Sequence, residues 1–405
     1  MRELILRAVV VLITCVFTLG IAEVALRISP SLIGIALLER FPPSLAREIA
    51  TELGFSTQAN RRLIASADRH DKGPTFFIYA PNQSYFSPVD DADKAAGATD
   101  LLTTDALGFC NPPGLAAGGK VDVLVIAGSL PNCAGTTAEQ NFNVPLAAIT
   151  GLSAYNMAVP RVGPHEYLET LRRFGLPLKP RIVLMAISEG NDLRDVHRFA
   201  EYLAGRRDDD DSASEESSGG ILGSSYALSF LKAGFEMAER QLKRLFVEPD
   251  FRYSVKAGGA RVPMNIANAD LSELSYAKRL ADGSVAPDLF APSMREFVAL
   301  GKEHGFVPLV VLVPAAYSAY ADSVEYADPD ITDLMRAYSD AQRAWFRDNA
   351  EKLGYAYVDA TPAMRKAAAD GVLLFFPANV HLTAEGHRIL AEAVAPAVEA
   401  LIRPR

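Results

Sequence analysis

The sequence predicts an α/β protein built on an open parallel sheet, and three observations carry that prediction. Five short runs are continuously apolar: "VDVLVIA" (121–127), "SAYNMAV" (153–159), "RIVLMAIS" (181–188), "VPLVVLVP" (307–314) and "YAYVDA" (355–360). Strands covered on both faces read as unbroken apolar runs, whereas half-exposed strands alternate. Helical patterns fall between or after these runs, over 137–149, 164–175, 192–205, 291–304, 330–353 and 383–402. Strands that alternate with helices call for right-handed crossovers and parallel pairing. Finally, 49% of the 405 residues are hydrophobic and 22% are charged, which suits a chain with a large buried core.

In chain order, the first element is "MRELILRAVVVLITCVFTLGIAEVALRI" (1–28). Arg2 and Arg7 precede an uncharged run from Ala8 to Ala22. With Leu4 to Leu6 added and Arg7 snorkelling, the run approaches the roughly 20 residues that cross a bilayer. The arginines place the N-terminus in the cytoplasm and the rest of the chain outside it. Val24, Ala25, Leu26 and Ile28 continue the apolar character, so residues 1–28 read as an uncleaved anchor. A cleaved signal peptide is the rival, with Gly20-Ile21-Ala22 as its small-x-small site. Both readings put the main domain in the periplasm or outside the cell.

Residues 29–120 read as an irregular lead-in. "LIGIALLERF" (32–41) is too short to span and suits an interfacial helix. "YAPNQSYFSPVDDADKAAGATD" (79–100) is turn-rich with a poor helical signal. The domain proper is then 121–405, with an insertion at about 206–290. The insertion opens on "RRDDDDSASEESSGG" (206–220), a polar acidic run that reads as a solvated loop. An amphipathic helix follows at 224–246, carrying Lys232, Arg240, Lys243 and Arg244. The insertion is expected to cover the site or to contact an envelope protein partner.

Charge and cysteines narrow the function class. A formal charge of −9 argues against nucleic acid, which favours basic patches. Cys15 lies in the apolar run. Cys110 and Cys133 form an even pair in an exported chain, where disulfides persist. A bridge would tie the segment before the first core strand to the loop after Ser129; two unpaired buried cysteines are the alternative. No Cys or His cluster has metal-ligand spacing, and "AGSLPNCAG" (127–135) lacks both G-x-G-x-x-G and a P-loop lysine. No cofactor or metal is expected.

Four segments fall at strand ends or before the last helix: "AGS" (127–129), "NMAVP" (156–160), "SEGND" (188–192) and "NVHLTAEGH" (379–387). In a parallel sheet, ligands bind beyond the carboxyl ends of the strands. Ser129, Ala158, Asn191 and His381 would therefore share one rim. These are the residue types of acyl transfer: a hydroxyl to attack, an imidazole to take its proton, and amide groups to hold an oxyanion.

On these segments the chain resembles the SGNH (GDSL-like) hydrolases, specifically bacterial members tethered by one N-terminal membrane helix. The resemblance runs from the anchor and "TTDALGF" (103–109) through the final helix. It implies a flavodoxin-like, three-layer fold with a five-stranded parallel sheet. It implies Ser129 as nucleophile and His381 as base, with Ser129 N–H, Ala158 N–H and Asn191 Nδ2 as the oxyanion hole. Three departures stand out. The family's Gly-Asp-Ser reads Ala127-Gly128-Ser129, its second-block glycine falls on Ala158, and the acid before the histidine is missing from "PANVH" (377–381). Losing the acid of a Ser-His-Asp triad costs roughly 10⁴ in kcat in proteases. An amide can orient an imidazole instead, so Asn379 is the expected partner of His381, with Asp359 as a second candidate.

Other polar residues have simpler expected roles. Asp192 suits a helix cap, His165 a helix start and His387 a structural position on the final helix. Glu189 either faces substrate at the rim or faces solvent. The resulting expectation is an exported serine esterase or O-acyltransferase acting on an acyl ester, the compartment suggesting an envelope or extracellular polysaccharide. Its rival is a catalytically silent glycan-binding or scaffold protein on the same fold.

Overall fold

Five parallel strands form the central sheet of the computed structural model: β1 (Val123–Ala127), β2 (Ala154–Asn156), β3 (Ile182–Ser188), β4 (Val307–Val313) and β5 (Ala356–Asp359). Each lies inside one of the five apolar runs. The order across the sheet is β2-β1-β3-β4-β5, the flavodoxin-like order, whose switch point lies between β1 and β3. β1 pairs with β2 from Val123 opposite Ala154 and with β3 from Val123 opposite Ile182. All residues of β1, β2 and β3 are buried, as expected for strands sandwiched between helices. The model describes residues 2–33, 35–38, 41–54, 56, 61–86, 89–115, 121–205, 225–246, 251–265 and 271–403. The acidic run 206–220 lies outside them.

Two helical layers enclose the sheet. One contains α1 (Asn143–Thr150) and the last helix, α6 (Ala384–Ile402), which pack on each other. The other contains α2 (Pro164–Thr170), α4 (Ala291–His304) and α5 (Thr332–Leu353). α3 (Asp192–Leu203) leaves the end of β3. Thr383 caps α6, its hydroxyl accepting the Gly386 N–H at 3.1 Å, and Glu385 sits in the first turn. Sequence periodicity did not signal the helices Ser272–Ala281 and Thr361–Ala369 or the hairpin of Tyr253–Ala257 and Ala260–Met264.

The chain divides into two units. The sheet, its helices, residues 62–83, residues 89–209 and everything from 249 onward make one. Residues 1–61, 84–88 and 210–248 make the other. The lead-in and the insertion are thus each split between units, because different parts of each bury apolar side chains in different cores. In the smaller unit, the helix Arg2–Ile28 packs on the helix Tyr226–Phe246. Glu23 accepts the Ser225 hydroxyl at 2.8 Å and the Ala227 N–H at 2.9 Å. Within the first helix, Val9–Ile28 is long and apolar enough to cross a membrane.

The expected Cys110–Cys133 disulfide is present, with the Cα atoms 6.2 Å apart. It joins the segment before β1 to the loop after Ser129. That segment also holds the turn at Asp105, whose Oδ1 accepts the N–H groups of Leu107, Gly108 and Phe109. "TTDALGF" is therefore a side-chain-capped turn, and the other oxygen of Asp105 accepts Tyr155 Oη from β2 and Asn111 Nδ2.

Candidate active site

Ser129 follows β1 by one residue beyond Gly128 and is half-buried. Its carbonyl accepts the Asn132 N–H at 3.0 Å, which turns the chain sharply after the strand. Neither its hydroxyl nor its N–H has a hydrogen-bond partner among the described residues. Position 128 holds glycine for a steric reason. A β-carbon there would lie 2.6 Å from Tyr167 Oη, a contact that side chains do not tolerate. Tyr167, on α2, instead donates to Asp192 Oδ1 at 2.8 Å.

His381 lies on the loop before α6 and is also half-buried. Asn379 Oδ1 accepts the His381 backbone N–H at 2.9 Å and lies 3.2 Å from the ring Nδ1. An amide oxygen can only accept, so Nδ1 carries the proton and Nε2 keeps its lone pair. Burial pushes the imidazole down to about 4, so the ring is neutral at pH 7. The second candidate partner, Asp359, is engaged elsewhere: Arg343 holds its Oδ2 at 2.8 and 2.9 Å, and Thr361 N–H donates to its Oδ1.

The loops of Ser129 and His381 are stitched into one assembly. Asn156, at the end of β2, donates to Pro131 O at 2.9 Å, and Asn132 donates to Ala158 O at 3.0 Å. Gly135 has φ +87° and faces Phe376, whose ring leaves no room for a side chain there. Thr99 N–H donates to Gly135 O, and Asp93 Oδ1 accepts the Ala378 N–H at 2.6 Å. Residues 93–99 therefore touch both loops.

Two of the three expected oxyanion donors have other partners. Ala158 N–H donates to Asn156 Oδ1 at 3.0 Å. Asn191 Nδ2 donates to Asp195 Oδ2 at 3.2 Å, across the first turn of α3. Ala158 is also buried at 2% exposure, so its N–H has no open path to a ligand in this conformation. Only Ser129 N–H is unengaged.

Several polar residues depart from their expected roles. Asp192 does not cap α3; Asn191 occupies the N-cap position. Asp192 is fully buried, where its carboxyl accepts Tyr167 Oη and the Ser188 N–H. Burial pushes it well above the usual carboxylate range. Glu189 faces neither substrate nor solvent. It is fully buried and accepts the Ala315 N–H and the Ser318 and Ser339 hydroxyls. Sequence spacing could not reveal those partners, since they lie more than a hundred residues away. His165 does start α2, stacked on Phe199 with ring centroids 3.7 Å apart. His387 is buried in α6, and neither ring nitrogen has a partner among the described residues. Among those residues no His, Cys, Asp or Glu cluster could hold a metal.

Sequence reading missed three residues of this region: Tyr167, Asp93 and Val380. The last has φ +52° between Asn379 and His381. No local signal marks a β-branched residue for the left-handed region, which such side chains avoid.

No family model and no curated protein matches the chain. It is similar to several solved structures. An alpha/beta hydrolase enzyme from the Lake Arreo metagenome is 16% identical with a TM-score of 0.36, covering 70% of this chain and 97% of its own. A catalytic variant of an acetylxylan esterase from Geobacillus stearothermophilus is 15% identical with a TM-score of 0.35, covering 71% and 99%. A GDSL-like lipase from Bacteroides thetaiotaomicron is 10% identical with a TM-score of 0.32, covering 71% and 95%. Strand order and rim geometry, rather than these distant likenesses, define the fold.

Proposed function

We propose that this protein is a membrane-tethered serine esterase or O-acyltransferase. The supporting observation is the oriented, neutral imidazole: Asn379 Oδ1 lies 3.2 Å from His381 Nδ1, which leaves Nε2 basic. Ser129 Oγ, unpartnered among the described residues, attacks the ester carbonyl while His381 Nε2 takes its proton. Ser129 N–H stabilises the oxyanion, and Asn191 joins it on releasing Asp195. The imidazolium returns the proton to the departing alcohol, leaving an acyl-serine. Water or a second hydroxyl then accepts the acyl group, with His381 again as base. An exported glycan ester fits a domain held beyond an N-terminal span such as Val9–Ile28. The test is labelling with a serine-reactive phosphonate, with hydrolysis of simple acetyl esters in parallel. Label at Ser129 and turnover above a Ser129→Ala control are expected; absence of both sinks the reading.

A specific observation favours a second reading. Ala158 N–H and Asn191 Nδ2 are both engaged inside the protein, and among the described residues no carboxylate is hydrogen-bonded to His381. A catalytically silent glycan-binding protein on the same fold would have this arrangement. Native activity abolished by Asn379→Ala supports the enzyme. Activity that arises only in Asn379→Asp supports the silent protein.

A further inference from the structure

Asp93 is a buried acid that the chemistry above leaves unused. It lies in the short helix Asp91–Ala95, in a stretch whose sequence reads as turns. At 1% exposure, its Oδ1 accepts the Ala378 N–H at 2.6 Å. Its Oδ2 is buried with no partner among the described residues. A buried carboxylate is costly unless hydrogen-bonded, so its position calls for an explanation.

The turn that it holds is strained. Val380 sits in the left-handed region at φ +52°, in the turn where Asn379 Oδ1 reaches both His381 N–H and Nδ1. Such strain persists only where the surroundings over-determine it. The far side of the turn is held by Phe376 N–H donating to His381 O at 2.8 Å, and by Val380 N–H donating to Phe376 O at 3.0 Å. The near side is held at Ala378 by Asp93. Removing the carboxylate leaves the Ala378 N–H without its acceptor, two positions before a residue with reason to relax. The Asn379 amide then loses its register with the ring.

We propose that Asp93 is a positioning residue for His381: its carboxylate, brought from outside the histidine loop, locks the Asn379–Val380–His381 turn and so fixes the imidazole. As a positioning role in catalysis this rests on His381 being the base, but the structural part can be tested alone. The full chain is labelled with ¹⁵N and the His381 ring is followed by NMR beside steady-state kinetics. In the wild type the ring shows one neutral tautomer, with the proton on Nδ1, and the Ala378 amide exchanges slowly. Asp93→Ala scrambles the tautomer and lowers kcat about 100-fold with KM nearly unchanged, the signature of misplacement rather than lost binding. Asp93→Asn keeps an acceptor oxygen and stays close to wild type in both readouts. An unchanged tautomer and kcat in Asp93→Ala overturn the proposal. If that variant does not fold, fast exchange of the Ala378 amide in the wild type overturns it equally. A wild type without esterase activity, whose tautomer still scrambles in Asp93→Ala, keeps the positioning role and removes the esterase reading.

Discussion

At residue scale, the chemistry turns on what faces the His381 ring. A carboxylate lifts the pKa of a neighbouring imidazole and stabilises its cation, whereas the Asn379 amide supplies orientation alone. With burial holding the ring near 4, the proposed base is neutral at every higher pH, though weak. Activity of the wild type should therefore rise through an acid limb near pH 4 and stay flat to neutrality. Asn379→Asp places a negative charge at Nδ1, so the limb moves to higher pH and the plateau rises by about tenfold or more. A pH profile of kcat/KM for both proteins checks the sign, and a limb that does not move would rule out Asn379 as the ring's partner.

At element scale, the approach of α2 to the end of β1 explains the missing acid next to the serine. Tyr167 Oη occupies the space that a side chain at 128 would need, and ties α2 to α3 through Asp192. Gly128→Ala should cost about 1–3 kcal/mol through overpacking. In a Tyr167→Phe background the clashing oxygen is gone, so the cost of the alanine should fall markedly. Denaturant melts of the four proteins give the coupling directly; strictly additive effects would show that Tyr167 is not the obstacle. The same elements show what local pattern conveys. All five strands were legible as apolar runs; β1, β2 and β3 are buried throughout, as burial on both faces demands, whereas the edge strand β5 is half-buried. The hairpin at 253–264 was not, since its residues mix polar and apolar without a clean period and its partners are set by tertiary packing. Ser129, Asn379 and His381 were put forward from block order. Asp93 was invisible, because an acid among Asp90, Asp91 and Lys94 in a turn-rich stretch reads as solvated.

At the scale of the whole molecule, the chain buries titratable groups of both signs. Burial lowers His165 to about 4 and His387 to about 3, while it raises Glu166, Glu189 and Asp192. The two sets act oppositely on stability as pH changes, so single groups are best isolated by difference. His387 is neutral when folded and protonates below about 6.5 when unfolded. Its contribution is complete above that pH and declines as pH falls toward 3. His387→Leu removes the decline. Relative to the variant, the wild type should lose up to about 1.4 kcal/mol per pH unit across this window. Chemical denaturation of both proteins at pH 7.5, 6 and 4.5 measures the trend; a constant difference would contradict it.

Sequence alone determined the parallel α/β class and the positions of the five strands, and it put forward the pairing of Cys110 with Cys133 and the segments that carry Ser129 and His381. Each follows from local periodicity or from residue types in order along the chain. Only tertiary structure decided that Tyr167 fills the place beside the serine, that Asp195 holds the Asn191 amide, that Glu189 is sealed in the core, and that Asp93 grips the histidine turn. Those outcomes depend on which distant atoms compete for the same space and the same hydrogen bonds, and that competition exists only once the chain has closed on itself.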